Sequence, residues 1–128
     1  AVDLFALHNA NGLAARVMTH GATLIGVDAP DRDGRFENVT LFLDTWADYQ
    51  AGHPVLGSVI GRYANRIAGA KFTIDGTTHT LVANAAPHHI HGGNNGFHKR
   101  IWSARPLREA PGSSAAKASS TSSHRVST

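Results

Sequence analysis

Cysteine is absent from this 128-residue chain. That excludes a disulfide framework and any thiolate metal or redox chemistry. Charge is scarce too: 16% of residues are Asp, Glu, Lys or Arg, against about 25% in an ordinary soluble domain. No apolar run approaches the roughly 20 residues of a membrane-spanning helix, so no membrane partner is expected. The N-terminus lacks a basic stretch followed by an apolar one, so no signal peptide is visible in these residues. No Ser-His-Asp signature, phosphate-cradling glycine loop or dinucleotide fingerprint is present. The glycines at 92, 93 and 96 lack the spacing and the following helix that a nucleotide site needs.

What remains is one domain's worth of chain, 41% apolar and rich in glycine, with 13 residues, enough for a modest core. The net charge of +3 is unevenly placed. Residues 1–102 hold 8 basic and 8 acidic side chains, whereas 103–128 hold Arg105, Arg108, Lys117 and Arg125 against Glu109 alone. A nucleic-acid footprint is a basic patch on the folded part. Here that part is neutral, so no nucleic-acid partner is expected.

The body reads as short strands broken by turns. Leu4–Leu7 and Leu13–Met18 flank Asn11-Gly12, and Lys71–Ile74 and Thr78–Val82 flank Asp75-Gly76. Asn-Gly and Asp-Gly supply the positive φ angles that tight hairpins demand. Further strands are expected at Thr23–Val27, at Val39–Leu43 as a strand buried on both faces, and at Val55–Ile60. Pro30–Gly34 is expected as a turn cluster. Only 44–50 offers a helical turn. Strands at short intervals with glycine turns predict an all-β sandwich or barrel. Residues 106–128 differ in kind. From Ser103 onward 15 of 26 residues are Ser, Ala or Thr, too little apolar surface to offset the entropy of ordering. The domain is therefore expected to end near residue 105, with 106–128 a disordered, Ser/Ala-rich tail whose composition suits a non-native end.

Two stretches carry chemistry. Gly61-Arg62-Tyr63-Ala64-Asn65-Arg66-Ile67 offers two planar guanidinium forks and a carboxamide, a set suited to a polyhydroxylated ligand. The same arginines would equally serve to pair surface carboxylates. Pro87-His88-His89-Ile90-His91-Gly92-Gly93 puts three of the nine histidines in four residues. In an extended strand His89 and His91 share a face, a spacing open to a metal, to a bound ligand or to a plain exposed loop.

Taken in order, Asn11-Gly12, Gly21-Ala22-Thr23, Pro30–Gly34, Gly61–Ile67, Phe72 with Asp75-Gly76, Ile90-His91-Gly92-Gly93, Gly96-Phe97 and Trp102 resemble the N-terminal portion of the aldose 1-epimerases, or galactose mutarotases. The resemblance covers nearly all of 1–102. It implies part of a large antiparallel β-sandwich, a truncated supersandwich, with the sugar in a groove on its concave face. It implies interconversion of the α and β anomers of free aldoses such as galactose and glucose. A general base takes the anomeric hydroxyl proton, a general acid protonates the ring oxygen, and the opened aldehyde rotates and recloses. No cofactor and no metal are implied, and a cytoplasmic location is expected. Carried over position by position, Asn65 and Arg66 match the sugar-binding pair, and His91 matches the histidine that contacts the sugar near its ring oxygen. The family's catalytic acid, a His, and base, a Glu, match no position, so no catalytic residue is expected in this chain. His98 stands where the family usually has Asp. A non-catalytic hexose-binding sandwich and a histidine-based metal protein are the alternatives. Strand edges left open by the truncation predict self-association.

Overall fold

The computed structural model describes residues 1–52 and 54–105. The expected disordered tail, 106–128, lies outside the described residues. The first half is a four-stranded antiparallel meander: β1 (Leu4–His8), β2 (Ala14–Met18), β3 (Thr23–Pro30) and β4 (Phe36–Asn38), in that spatial order. Leu4 faces Met18 and His8 faces Ala14 across β1–β2. A short helix, α1 (Trp46–Ala51), follows. The second half holds β5 (Arg66–Ile67), β6 (Lys71–Ile74), β7 (Thr77–Thr80) and β8 (His89–Ile90), with β5 pairing β8 and β6 pairing β7. The all-β expectation is met.

Two of the meander's hairpins use the same loop chemistry. In Asn9-Ala10-Asn11-Gly12-Leu13, the Asn9 Oδ1 accepts from the N–H groups of Asn11 and Leu13, and Asn9 N–H bonds Leu13 O. In Asp31-Arg32-Asp33-Gly34-Arg35, the Asp31 Oδ1 accepts from Asp33 and Arg35, and Asp31 N–H bonds Arg35 O. Each Asx side chain satisfies two backbone donors that the turn would leave open. The fourth residue of each must enter the left-handed region, and Gly12 and Gly34 do so with φ of 88° and 78°. The Asn11-Gly12 signal therefore makes a five-residue loop rather than a two-residue turn. Pro30, expected in the turn, instead ends β3 opposite Phe36. Asp75-Gly76 does form a two-residue turn, with φ of 49° and 76° and Ile74 facing Thr77.

Two expected strands are absent. Val39–Leu43 is not a strand and is not buried: Val39 is 68% and Leu41 79% exposed. Asn38 explains the stop. Its Oδ1 accepts from Val27 N–H, the donor that a continuing β4 would need, and also from Thr40 N–H and Oγ1. Val55–Ile60 forms a turn, with Val55 at φ 55° and Ser58 N–H bonded to Val55 O. It then runs beside the start of β3, where Leu24 N–H bonds Gly57 O and Val59 N–H bonds Gly21 O.

The core is small. Among the described residues Ala14, Met18, Tyr49 and Ala70 are its buried hydrophobic members. Helix α1 delivers Tyr49, whose hydroxyl accepts from Leu43 N–H. Thr45 caps that helix: its Oγ1 accepts from Asp48 N–H while Asp48 returns a carboxylate to Thr45 N–H. Thr23 is fully buried, with its hydroxyl held by His20 O and Ser58 Oγ. The two halves are fastened where the chain returns to the meander. Gly21 N–H bonds Arg100 O at 2.7 Å and Trp102 N–H bonds Thr19 O at 2.8 Å. No described helix is long and apolar enough to cross a membrane.

Candidate functional site

The two stretches that the sequence singles out pack against each other. Strand β5 pairs antiparallel with β8, Arg66 opposite Ile90 and Ile67 opposite His89. Asn65 lies just before β5 and His91 just after β8, so the ladder's end brings them together. His91 N–H donates to Asn65 O at 3.0 Å, and Asn65 N–H donates to His91 Nδ1 at 3.1 Å. The Arg66 guanidinium donates to Asn65 Oδ1 at 3.2 Å. Asn65, Arg66 and His91 thus form one hydrogen-bonded group. The loops meet closely behind it. A Cβ on Gly92 would collide with Gly61 O, and Gly92 has φ of 82°, so only glycine fits there. Phe97 N–H bonds Gly61 O, and the Arg62 guanidinium lies over the Phe97 ring, 5.6 Å from its centre.

Beside this group opens a cavity of about 980 Å³. Its apolar wall includes Ile67, Phe72, Ile74 and Leu81, and its cationic wall Arg62, Arg66 and Arg100. His89 also lines it, whereas Asn65 and His91 do not. Among the described residues no Asp or Glu lines it. The mixture suits a neutral ligand that has an apolar C–H face and hydroxyls needing directional partners.

The three clustered histidines are engaged separately. His88 Nδ1 accepts from Gly69 N–H at 3.2 Å, and His91 Nδ1 accepts from Asn65 N–H. An accepting Nδ1 carries no proton, so Nε2 bears the hydrogen in the neutral rings of both. His91 therefore keeps a donor to offer. His89 is the reverse: its Nδ1 lies 2.8 Å from Val82 O, and a carbonyl only accepts, so this Nδ1 holds the proton. The shared strand face for His89 and His91 does not arise, because His91 leaves β8 with φ of 52°. Among the described residues no group of three or more His, Cys, Asp or Glu is placed to hold a metal ion.

Sequence reasoning singled out Asn65, Arg66 and His91, three residues that the fold brings together. It missed the arrangement of Phe72, Ile74 and Leu81 around the cavity, since a period-two pattern in a hairpin does not say what lies across from it. Elsewhere the main ion pair joins Arg16 and Asp28 across β2–β3, at 2.5 and 2.9 Å. The Arg16 guanidinium holds the Asp28 carboxyl below its ordinary range.

The described residues thus form a strand-built domain with an arginine-lined cavity. The family model of aldose 1-epimerase matches residues 3–125, and this chain belongs to that family. It is 38% identical to galactose mutarotase from Sus scrofa over 106 residues, 83% of this chain and 31% of the relative. It is 40% identical to aldose 1-epimerase from Escherichia coli K12 over 99 residues, 77% of this chain and 29% of the relative. Its structure resembles that of the GalM/aldose epimerase homologue from C. elegans, with a TM-score of 0.76 and 34% identity, covering 87% of this chain and 34% of that one. The chain spans about a third of the length of the relatives it matches. Members of this family act on aldose sugars.

Proposed function

We propose that this chain carries the sugar-binding N-terminal portion of an aldose 1-epimerase that interconverts the α and β anomers of free aldoses such as galactose and glucose. The observation that carries the reading is the Asn65–Arg66–His91 group beside an open cavity. Arg66 donates from the wall to sugar oxygens, and Asn65 holds its guanidinium in place. His91 lies outside the cavity lining; with Nδ1 taken by Asn65 N–H, its Nε2–H is the donor that the resemblance assigns to the ring oxygen. Opening the ring needs a base at the anomeric hydroxyl and an acid at the ring oxygen. The resemblance assigns these to a Glu and a His with no counterpart in this chain. A cytoplasmic location belongs to the same reading.

One observation favours a second reading for the chain taken alone, a hexose-binding unit without turnover: no carboxylate among the described residues lines the cavity. Each positioned acid or base contributes about 10²–10⁴-fold to a rate, so a chain without both exchanges anomers at close to the spontaneous rate. Saturation-transfer NMR on equilibrated galactose tests both readings. Galactose binding with near-spontaneous exchange is expected. Absence of any galactose-dependent change in the protein's spectrum would overturn the sugar assignment, and fast exchange would overturn the non-catalytic reading of the chain alone.

A further inference from the structure

The cavity wall carries a group that the sugar-binding set does not use. His89 is only 6% exposed, yet it lines the cavity, as does Ile67, its partner across the β5–β8 ladder. Its Nδ1–H is committed to Val82 O at 2.8 Å. That bond fixes the tautomer, so in the neutral ring Nε2 is a lone pair that can only accept. Among the described residues no group bonds Nε2. The Nε2 atom is not itself sealed from solvent, so a ligand entering the cavity can reach it.

We propose that His89 Nε2 is a ligand-binding acceptor that receives a hydroxyl proton from a neutral sugar seated in the cavity. The proposal rests on the sugar-binding reading above and adds a residue to it. The chemistry of the wall narrows the ligand. Arg62, Arg66 and Arg100 only donate, and by themselves they would draw an anion. A carboxylate or a fully ionised phosphate has no hydrogen to give to Nε2. A hydroxyl can accept from a guanidinium and donate to an imidazole at the same time. Phe72 and Leu81 on the same wall suit the C–H face of a pyranose. Together these groups favour a neutral polyol over an anion of similar size.

Histidine tautomers are read directly from ¹⁵N NMR of the labelled chain. The spectrum is recorded at pH 8. The expected spectrum shows His89 protonated at Nδ1 and bare at Nε2, with Nε2 moving when galactose is added. A His89 ring protonated at Nε2 would overturn the proposal whatever the ligand. Galactose-dependent shifts elsewhere with Nε2 unmoved would overturn this proposal and leave the sugar reading standing. No galactose-dependent shift anywhere would overturn both.

Two substitutions separate binding from folding. His89→Asn keeps a donor for Val82 O and removes the Nε2 acceptor, so galactose affinity falls about 3- to 10-fold while the melting curve holds. His89→Gln places an acceptor near the lost Nε2 and restores most of that affinity. Unchanged galactose affinity in folded His89→Asn would overturn the proposal. So would inorganic phosphate displacing galactose equally from both proteins, which would mark the cavity as an anion site.

Discussion

The imidazole of His91 stands where a backbone carbonyl would otherwise receive the Asn65 N–H, and His91 returns its own N–H to Asn65 O. Both residues are held in the left-handed region, Asn65 at φ 61° and His91 at φ 52°. Such conformations persist in non-glycine residues where the surroundings over-determine them, and they gather at ligand sites. Here the over-determination is the mutual pair of bonds at the end of the β5–β8 ladder.

His91→Ala removes the acceptor for Asn65 N–H. The expected stability loss is about 0.5–1.5 kcal/mol, the net worth of one such bond. His91→Asn puts a carbonyl oxygen near the position of Nδ1 and recovers part of that loss. It does not recover galactose binding, because the Nε2 donor is gone. Thermal melts and calorimetric titration of both variants check the two halves, and galactose binding that returns with stability in His91→Asn would show that Nε2 plays no part.

Arg66→Ala is expected to weaken galactose binding by roughly 1.5–3 kcal/mol, the range for a hydrogen bond to a charged group. Arg62→Ala is expected to do less, because the Arg62 guanidinium lies over Phe97. Equal losses in titration calorimetry would refute that division.

Acid should loosen the meander through Asp28. The Asp28 carboxyl has its pKa lowered by the hydrogen bond from Arg16. Between the folded and unfolded values the unfolded chain binds more protons, so stability rises with pH there. The contribution is complete above the ordinary carboxylate value of about 4 and is lost as pH falls through the lowered folded value. Asp28→Asn should abolish that part of the pH dependence. Urea melts of both proteins from pH 6 down to pH 2.5 test this, and parallel curves would count against it.

Self-association is expected through the exposed apolar run after β4. Val39 is 68%, Leu41 79% and Phe42 50% exposed, and contiguous apolar surface of this kind draws other chains. Light scattering coupled to size exclusion at micromolar concentration should show species above the 13.5 kDa monomer. The double substitution Leu41→Lys, Phe42→Lys should return the chain toward monomer, and an unaltered elution profile would place the contact elsewhere.

Features that depend on neighbours along the chain can be read from residue order alone. Asn9 and Asp31, each three residues before a glycine, close their loops with their own side chains, and Asp75-Gly76 turns a hairpin in two residues. These are local bonds and local φ preferences, so they are legible without a partner. The family, too, was legible, because Gly61–Ile67 and Ile90–Gly93 stand in order with the hairpin between them. Tertiary structure decided the rest. Val39–Leu43 reads as a strand by composition, yet the side chain of Asn38 takes the ladder bond from Val27 and ends the pairing. His88, His89 and His91 look alike in sequence. Each acquires its tautomer from a different distant backbone group, Gly69, Val82 or Asn65, and which nitrogen is left to meet a ligand depends on contacts that no local pattern encodes.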